Sequence, residues 1–94
     1  TFNCSTVDSD TSTSDTVLVF ATGKAKHAKI SSASDAAAQN FKAALHDLLL
    51  ELTHLVIKDG EGISKFVTIK VEGAATDISA RTIGLAIANS PLVK

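Results

Sequence analysis

Apolar residues recur at three- and four-residue steps between positions 35 and 58. Ala37, Phe41, Ala44, Leu45, Leu48, Leu52, Leu55 and Val56 make one stripe, which predicts an amphipathic helix with one covered face. Leu49, Leu50 and Ile57 widen the stripe and predict cover on a second face. Ser34 is placed to cap this helix, and Asp35 suits the positive end of its dipole. Asp59-Gly60 stops it. A second helix is predicted over 77–89, with Thr76 as cap and Ile78, Ile83, Leu85, Ile87 and several alanines as its buried surface. Asn89-Ser90-Pro91 ends it, because proline restricts the residue before it.

The remaining apolar segments have other periods. Over 65–72, Val67, Ile69 and Val71 face one side while Phe66, Thr68 and Lys70 face the other, as in a strand. Residues 17–21 form a short continuous apolar run, expected of a strand buried on both faces. Residues 1–8 alternate weakly and give a third strand. Between the first two strands lies the small polar run 8–16, whose side chains favour a turn by competing for backbone hydrogen bonds. Residues 23–33 read as a connecting loop. The predicted order is β-β-α-β-α: an α+β fold in which a sheet carries two helices on one face. The turn at 59–64 makes the long helix and the last strand antiparallel neighbours. No internal repeat or low-complexity linker divides the 94 residues, so they are read as one unit, 1–94.

Composition narrows the function. There are four Phe and no Tyr or Trp, and the net charge is −1; this argues against a nucleic-acid stacking platform. Lys24, Lys26, His27 and Lys29 are the only basic cluster, read as a solvated loop, with an anion site as the alternative. No run of eighteen apolar residues predicts a membrane span, and no signal peptide is visible. The single cysteine, Cys4, allows neither an intramolecular disulfide nor a CxxC metal pair. It suits a reducing cytoplasm and is expected to be a buried strand thiol. The ends, Thr1 and the apolar stretch before Lys94, give the expectation of a piece cut from a longer chain.

Among candidate chemical groups, Glu61 stands out. It sits between Gly60 and Gly62 in the turn from helix to strand, where glycines let a ligand approach closely. A carboxylate there is suited to a substrate ammonium group; the plain alternative is an exposed Glu on a capping turn. Asp8, Asp10 and Asp15 superficially suggest a calcium loop, but the run lacks the glycine and the final glutamate of that pattern. His46 and His54 lie two helical turns apart, with Asp47 and Glu51 nearby, too far apart for an i, i+4 zinc pair. They are expected to be surface or partly buried histidines. Thr1 has the form of an N-terminal nucleophile whose amine acts as base, though any chain has a first residue.

Three collinear stretches carry a family resemblance: Thr6-Val7-Asp8-Ser9-Asp10-Thr11-Ser12-Thr13-Ser14-Asp15-Thr16-Val17-Leu18, Lys58-Asp59-Gly60-Glu61-Gly62-Ile63-Ser64-Lys65-Phe66, and Ala86-Ile87-Ala88-Asn89-Ser90-Pro91-Leu92-Val93-Lys94. Together they resemble the ornithine acetyltransferase family, which reads close to V-D-G-D-T-S-T-N-D-T, D-G-E-G-A-T-K and I-A-N-S-P-L-V-K. The departures are Ser9 for Gly, Ser14 for Asn, and Ile63-Ser64 for Ala-Thr. No catalytic role is carried onto Ser14.

The resemblance implies a four-layer αββα fold of the N-terminal-nucleophile type, with a precursor that cleaves itself into α and β chains. A Thr in an Ala-Thr-Met-Leu motif takes acetyl from N-acetylornithine as an ester and passes it to glutamate, in the cytoplasmic arginine pathway. Thr1 is followed by Phe2-Asn3 and does not match that motif, so no catalytic residue is assigned within this chain. The nucleophile is expected upstream in the same β chain, and the isolated piece is expected to be inactive. Glu61 matches the Glu of D-G-E-G and is assigned as substrate-binding. No metal or other cofactor is implied. The implied partners are N-acetylornithine, glutamate and the α chain, in an αβ homo-oligomer. Two other classes stay open: an amidase or aminopeptidase of the same fold, and a non-catalytic interaction module.

Overall fold

The computed structural model describes residues 1–7 and 14–93. Its longest element is α1, Ala36–Lys58, within one residue of the predicted span. Alanines and leucines at 11 of its 23 positions suit a helix. Its N-cap is Asp35 rather than Ser34, and the Asp35 side chain does not cap the helix. Asp35 Oδ2 instead accepts from the backbone N–H groups of Ser31 and Ser32, each at 3.2 Å. The carboxylate thus orders the approaching loop, while Gln39 Nε2 reaches back to Ala33 O at 2.6 Å. The second helix, α2, spans Asp77–Ala88. Here the predicted cap forms: Thr76 Oγ1 accepts from Ser79 N at 3.0 Å, satisfying one of the donors every helix start leaves open.

The expected sheet does not form: among the described residues there are two α-helices and one short 3-10 turn, and no strand. The predicted β-β-α-β-α order is therefore wrong for these residues. Both helices are found; the sheet that was to carry them on one face is not. At the N-terminus the 3-10 turn Phe2–Cys4 replaces the first strand. Cys4 N donates to Thr1 O at 2.8 Å, and Ser5 Oγ donates to Phe2 O at 2.7 Å. These local bonds compete with any ladder. Cys4 is exposed, not a buried strand thiol.

Residues 17–21 and 65–72 fail as strands for a different reason. A period-2 or continuous apolar pattern states which side each residue faces, but a strand exists only against a partner that takes its N–H and C=O groups. Neither segment finds one. Leu18 is 69% and Phe20 83% exposed, where a strand covered on both faces was expected.

Cover is missing elsewhere too. The α1 stripe is open at Phe41, Leu48 and Leu55. Thr53 is the single fully buried residue among those described, with its Oγ1 donating to Leu49 O at 2.6 Å. The chain exposes 8161 Å², whereas a folded monomer of 9.7 kDa is expected to expose about 5100 Å². The radius of gyration, 16.8 Å, likewise exceeds the ~12 Å expected at this length. What packing there is sets the 3-10 turn against α1. Arg81 of α2 reaches the N-terminal segment, Nη2 donating to Asn3 O at 2.5 Å.

Candidate functional site

The segment joining α1 to residues 65–72 is built residue by residue around Glu61. Asp59 closes the helix, its N–H donating to Leu55 O at 3.0 Å. Its φ is −90°, and the next residue, Gly60, is not among the glycines of positive φ, so the helix does not end on a left-handed glycine. Gly60 serves space instead: a Cβ there would stand 2.8 Å from Ile63 Cγ1 and 3.3 Å from Ile57 O. The left-handed residue is Gly62, at φ 72°, and Ile63 N returns to Gly60 O at 3.1 Å. Glu61 is thereby held at the tip of a tight turn, exposed. Its carboxylate makes no hydrogen bond or ion pair with any described residue.

The electrostatics favour a cation at this place. The C-terminal end of a helix carries roughly half a negative charge. Asp59 and Glu61 add two carboxylates next to it. The one cation in the last turn, Lys58, is directed elsewhere: its Nζ lies 5.2 Å from the centre of the Phe66 ring. His54 meets the same ring edge-on, with centroids 5.1 Å apart and planes at 75°. This three-residue cluster was not foreseen. Its only trace in the sequence is the four-residue spacing of His54 and Lys58, which puts both on one helix face.

A cleft of about 730 Å³ lies between the second half of α1, residues 62–71 and α2. Leu50, His54, Phe66, Ile69 and Leu85 are among the residues that border it. Gly62 lines the cleft and Glu61 does not. Thr1 and Cys4 also border it, so the structure brings these two candidates and His54 to one cavity. His46 stands apart, exposed, with Nδ1 3.4 Å from Asp47 Oδ1. His27 Nδ1 bonds Ala28 O at 2.8 Å, and Lys24, Lys26 and Lys29 are exposed around it. The calcium-loop candidates Asp8 and Asp10 lie outside the described residues, and Asp15 is exposed. Among the described residues no group of His, Cys, Asp or Glu could hold a metal ion, and no helix is long and apolar enough to cross a membrane.

These features define, as a class, a helical segment that presents one unpartnered carboxylate on a glycine-flanked turn. The particular family follows from comparison with known proteins. The chain belongs to the ArgJ family, which it matches over residues 1–94. It is 56% identical over 97 aligned residues to the arginine biosynthesis bifunctional protein ArgJ of Rhizobium meliloti, covering all of this chain and 24% of that protein. It is 55% identical over 93 residues to the protein of the same name from Gluconobacter oxydans, covering 99% of this chain and 22% of that protein. The chain therefore spans about a quarter of the length of the curated relatives it matches. No solved structure matches it.

Proposed function

We propose that this chain supplies the amine-binding turn of an arginine-pathway acetyltransferase, with Glu61 as the residue that receives a cationic substrate amine. The observation that carries the reading is the unpartnered Glu61 carboxylate at the negative end of α1, in a chain whose relatives are named arginine biosynthesis bifunctional proteins. In the reaction we assign to the whole protein, a threonine hydroxyl attacks the acetyl carbonyl of N-acetylornithine. Ornithine leaves, and the acetyl group is held as a threonine ester. The amine of glutamate then attacks that ester, giving N-acetylglutamate and restoring the hydroxyl. Backbone or side-chain donors outside these residues stabilise the oxyanion.

The Ala-Thr-Met-Leu motif does not occur in these 94 residues, so we place the nucleophile in the rest of the protein. The proposal extends to an α chain partner, an αβ oligomer and a cytoplasmic setting. The test is acetyl transfer from N-acetylornithine to glutamate, measured for this chain beside the full-length polypeptide that carries it. Activity is expected of the full-length protein alone. Glu61→Ala in that protein removes a charge-assisted contact worth ~1.5–3 kcal/mol, so kcat/KM falls roughly ten- to a hundred-fold. Unchanged kinetics would remove Glu61 from the site. Activity in the isolated chain would make Thr1 the leading nucleophile.

A further inference from the structure

The turn that presents Glu61 is tied at its base by one aromatic ring. His54 and Lys58 project from the same face of α1. Phe66, which follows the turn, lies against both, edge-on to the His54 ring at 5.1 Å and under the Lys58 ammonium at 5.2 Å. The chain from Lys58 to Phe66 is therefore a closed loop, and Glu61 sits inside it. Within the loop, the left-handed Gly62 and the bond from Ile63 N to Gly60 O set the path.

The ring also settles a competition. Lys58 is three residues from Glu61, near enough in sequence for its long side chain to approach the carboxylate and occupy the place of a substrate amine. No such ion pair forms: the two ion pairs among the described residues are His46 with Asp47 and Lys70 with Glu72. The ammonium is instead attracted to the negative face of the ring.

We propose that Phe66 is a positioning residue for substrate binding: held by His54, it holds the Lys58 ammonium away from Glu61 and leaves that carboxylate open to the substrate's cationic amine. The inference rests on the assignment of Glu61 made above. Its signature is a change in KM rather than kcat. A residue that merely supported the fold would lower the active fraction, and so kcat at fixed total protein, with KM unmoved.

The experiment measures kcat and KM for N-acetylornithine in the full-length polypeptide that carries this segment. Phe66→Leu keeps apolar bulk and removes the ring face; KM is expected to rise about threefold with kcat held, the scale of one exposed cation–ring or ion-pair contact. Adding Lys58→Gln to Phe66→Leu should bring KM back down, because the competing ammonium is gone. Phe66→Tyr, which retains the ring, should recover most of the Phe66→Leu loss. An unchanged KM in Phe66→Leu, a fall in kcat alone, or a KM rise that Lys58→Gln does not reverse would each overturn the inference. Glu61→Gln in parallel separates the two claims. If it leaves KM unchanged, the Glu61 assignment fails; if it raises KM while Phe66→Leu does not, only the role of Phe66 fails. Should Phe66→Leu not fold, the Lys58 side-chain proton resonances of the unmodified chain decide. An upfield ring-current shift supports the contact, and unshifted resonances refute it.

Discussion

Replacing Gly62 by alanine tests the backbone that aims Glu61, separately from the carboxylate itself. Gly62 has a φ of 72°, and a Cβ built on it meets nothing within 4 Å. The penalty is therefore torsional and not steric. Holding an L-residue in the left-handed region costs roughly 1–2 kcal/mol. Alanine also narrows the unfolded ensemble, which offsets about 0.4–1 kcal/mol of that. The net expectation is a destabilisation of ~1 kcal/mol. Urea unfolding followed by far-ultraviolet circular dichroism reads it, with amide chemical shifts at residues 60–63 reporting whether the turn keeps its form. Asparagine enters the left-handed region more readily than alanine, so Gly62→Asn should lose less. Gly60→Ala is the steric counterpart, since its Cβ would stand 2.8 Å from Ile63 Cγ1. Shortening the obstacle with Ile63→Ala should relieve the clash part of that loss, whereas it should do nothing for Gly62→Ala. An alanine at position 62 that matches glycine in stability, with the turn's amide shifts unmoved, would refute the torsional argument.

Three further outcomes follow from single contacts. Thr76→Ala removes the oxygen that accepts from Ser79 N; a loss of about 1 kcal/mol is expected, with faster hydrogen exchange at the Ser79 amide and little change in α1. Arg81→Ala removes the bond to Asn3 O and should speed exchange at the Cys4 amide, while the amides in the middle of α2 keep their protection. Lys70→Ala breaks the 2.6 Å pair with Glu72, but both side chains are largely exposed. Denaturant midpoints should therefore move by less than the equivalent of ~0.5 kcal/mol, and a shift of more than twice that would show the pair to be stronger than its exposure allows.

The helices were legible in the sequence and the strands were not, and the difference is one of range. The bounds of α1 and α2 follow from a 3.6-residue stripe and from neighbours such as Thr76 and Ser79, all within a few residues of each other. Asp35 shows the limit of even local reading. It stands at the right position to cap, yet spends its carboxylate on Ser31 and Ser32. Residues 17–21 have the composition of a strand, but a strand depends on groups elsewhere, and nothing in Val17 or Phe20 says where a partner is. Of the candidate site, the turn and the exposure of Glu61 were readable from Asp59-Gly60-Glu61-Gly62. The role of each glycine was not. The sequence does not distinguish Gly60 from Gly62, while in the structure Gly62 takes the left-handed conformation and Gly60 makes room for Ile63. The grouping of His54, Lys58 and Phe66 depends on how the chain reverses after α1, which periodicity does not report.

The bond from Arg81 to Asn3 joins residues 78 positions apart. Closing a flexible loop of that length costs about 4 kcal/mol of chain entropy, beyond a fixed term. One hydrogen bond contributes ~0.5–1.5 kcal/mol, or up to ~3 when the donor is charged. That bond is therefore unable to draw the two segments together from a disordered chain. It closes only after α1 and α2 have formed and shortened the effective loop, with the 3-10 turn already against α1. On this reckoning the Arg81–Asn3 bond is a late contact, one that reports helices already formed and does not create them.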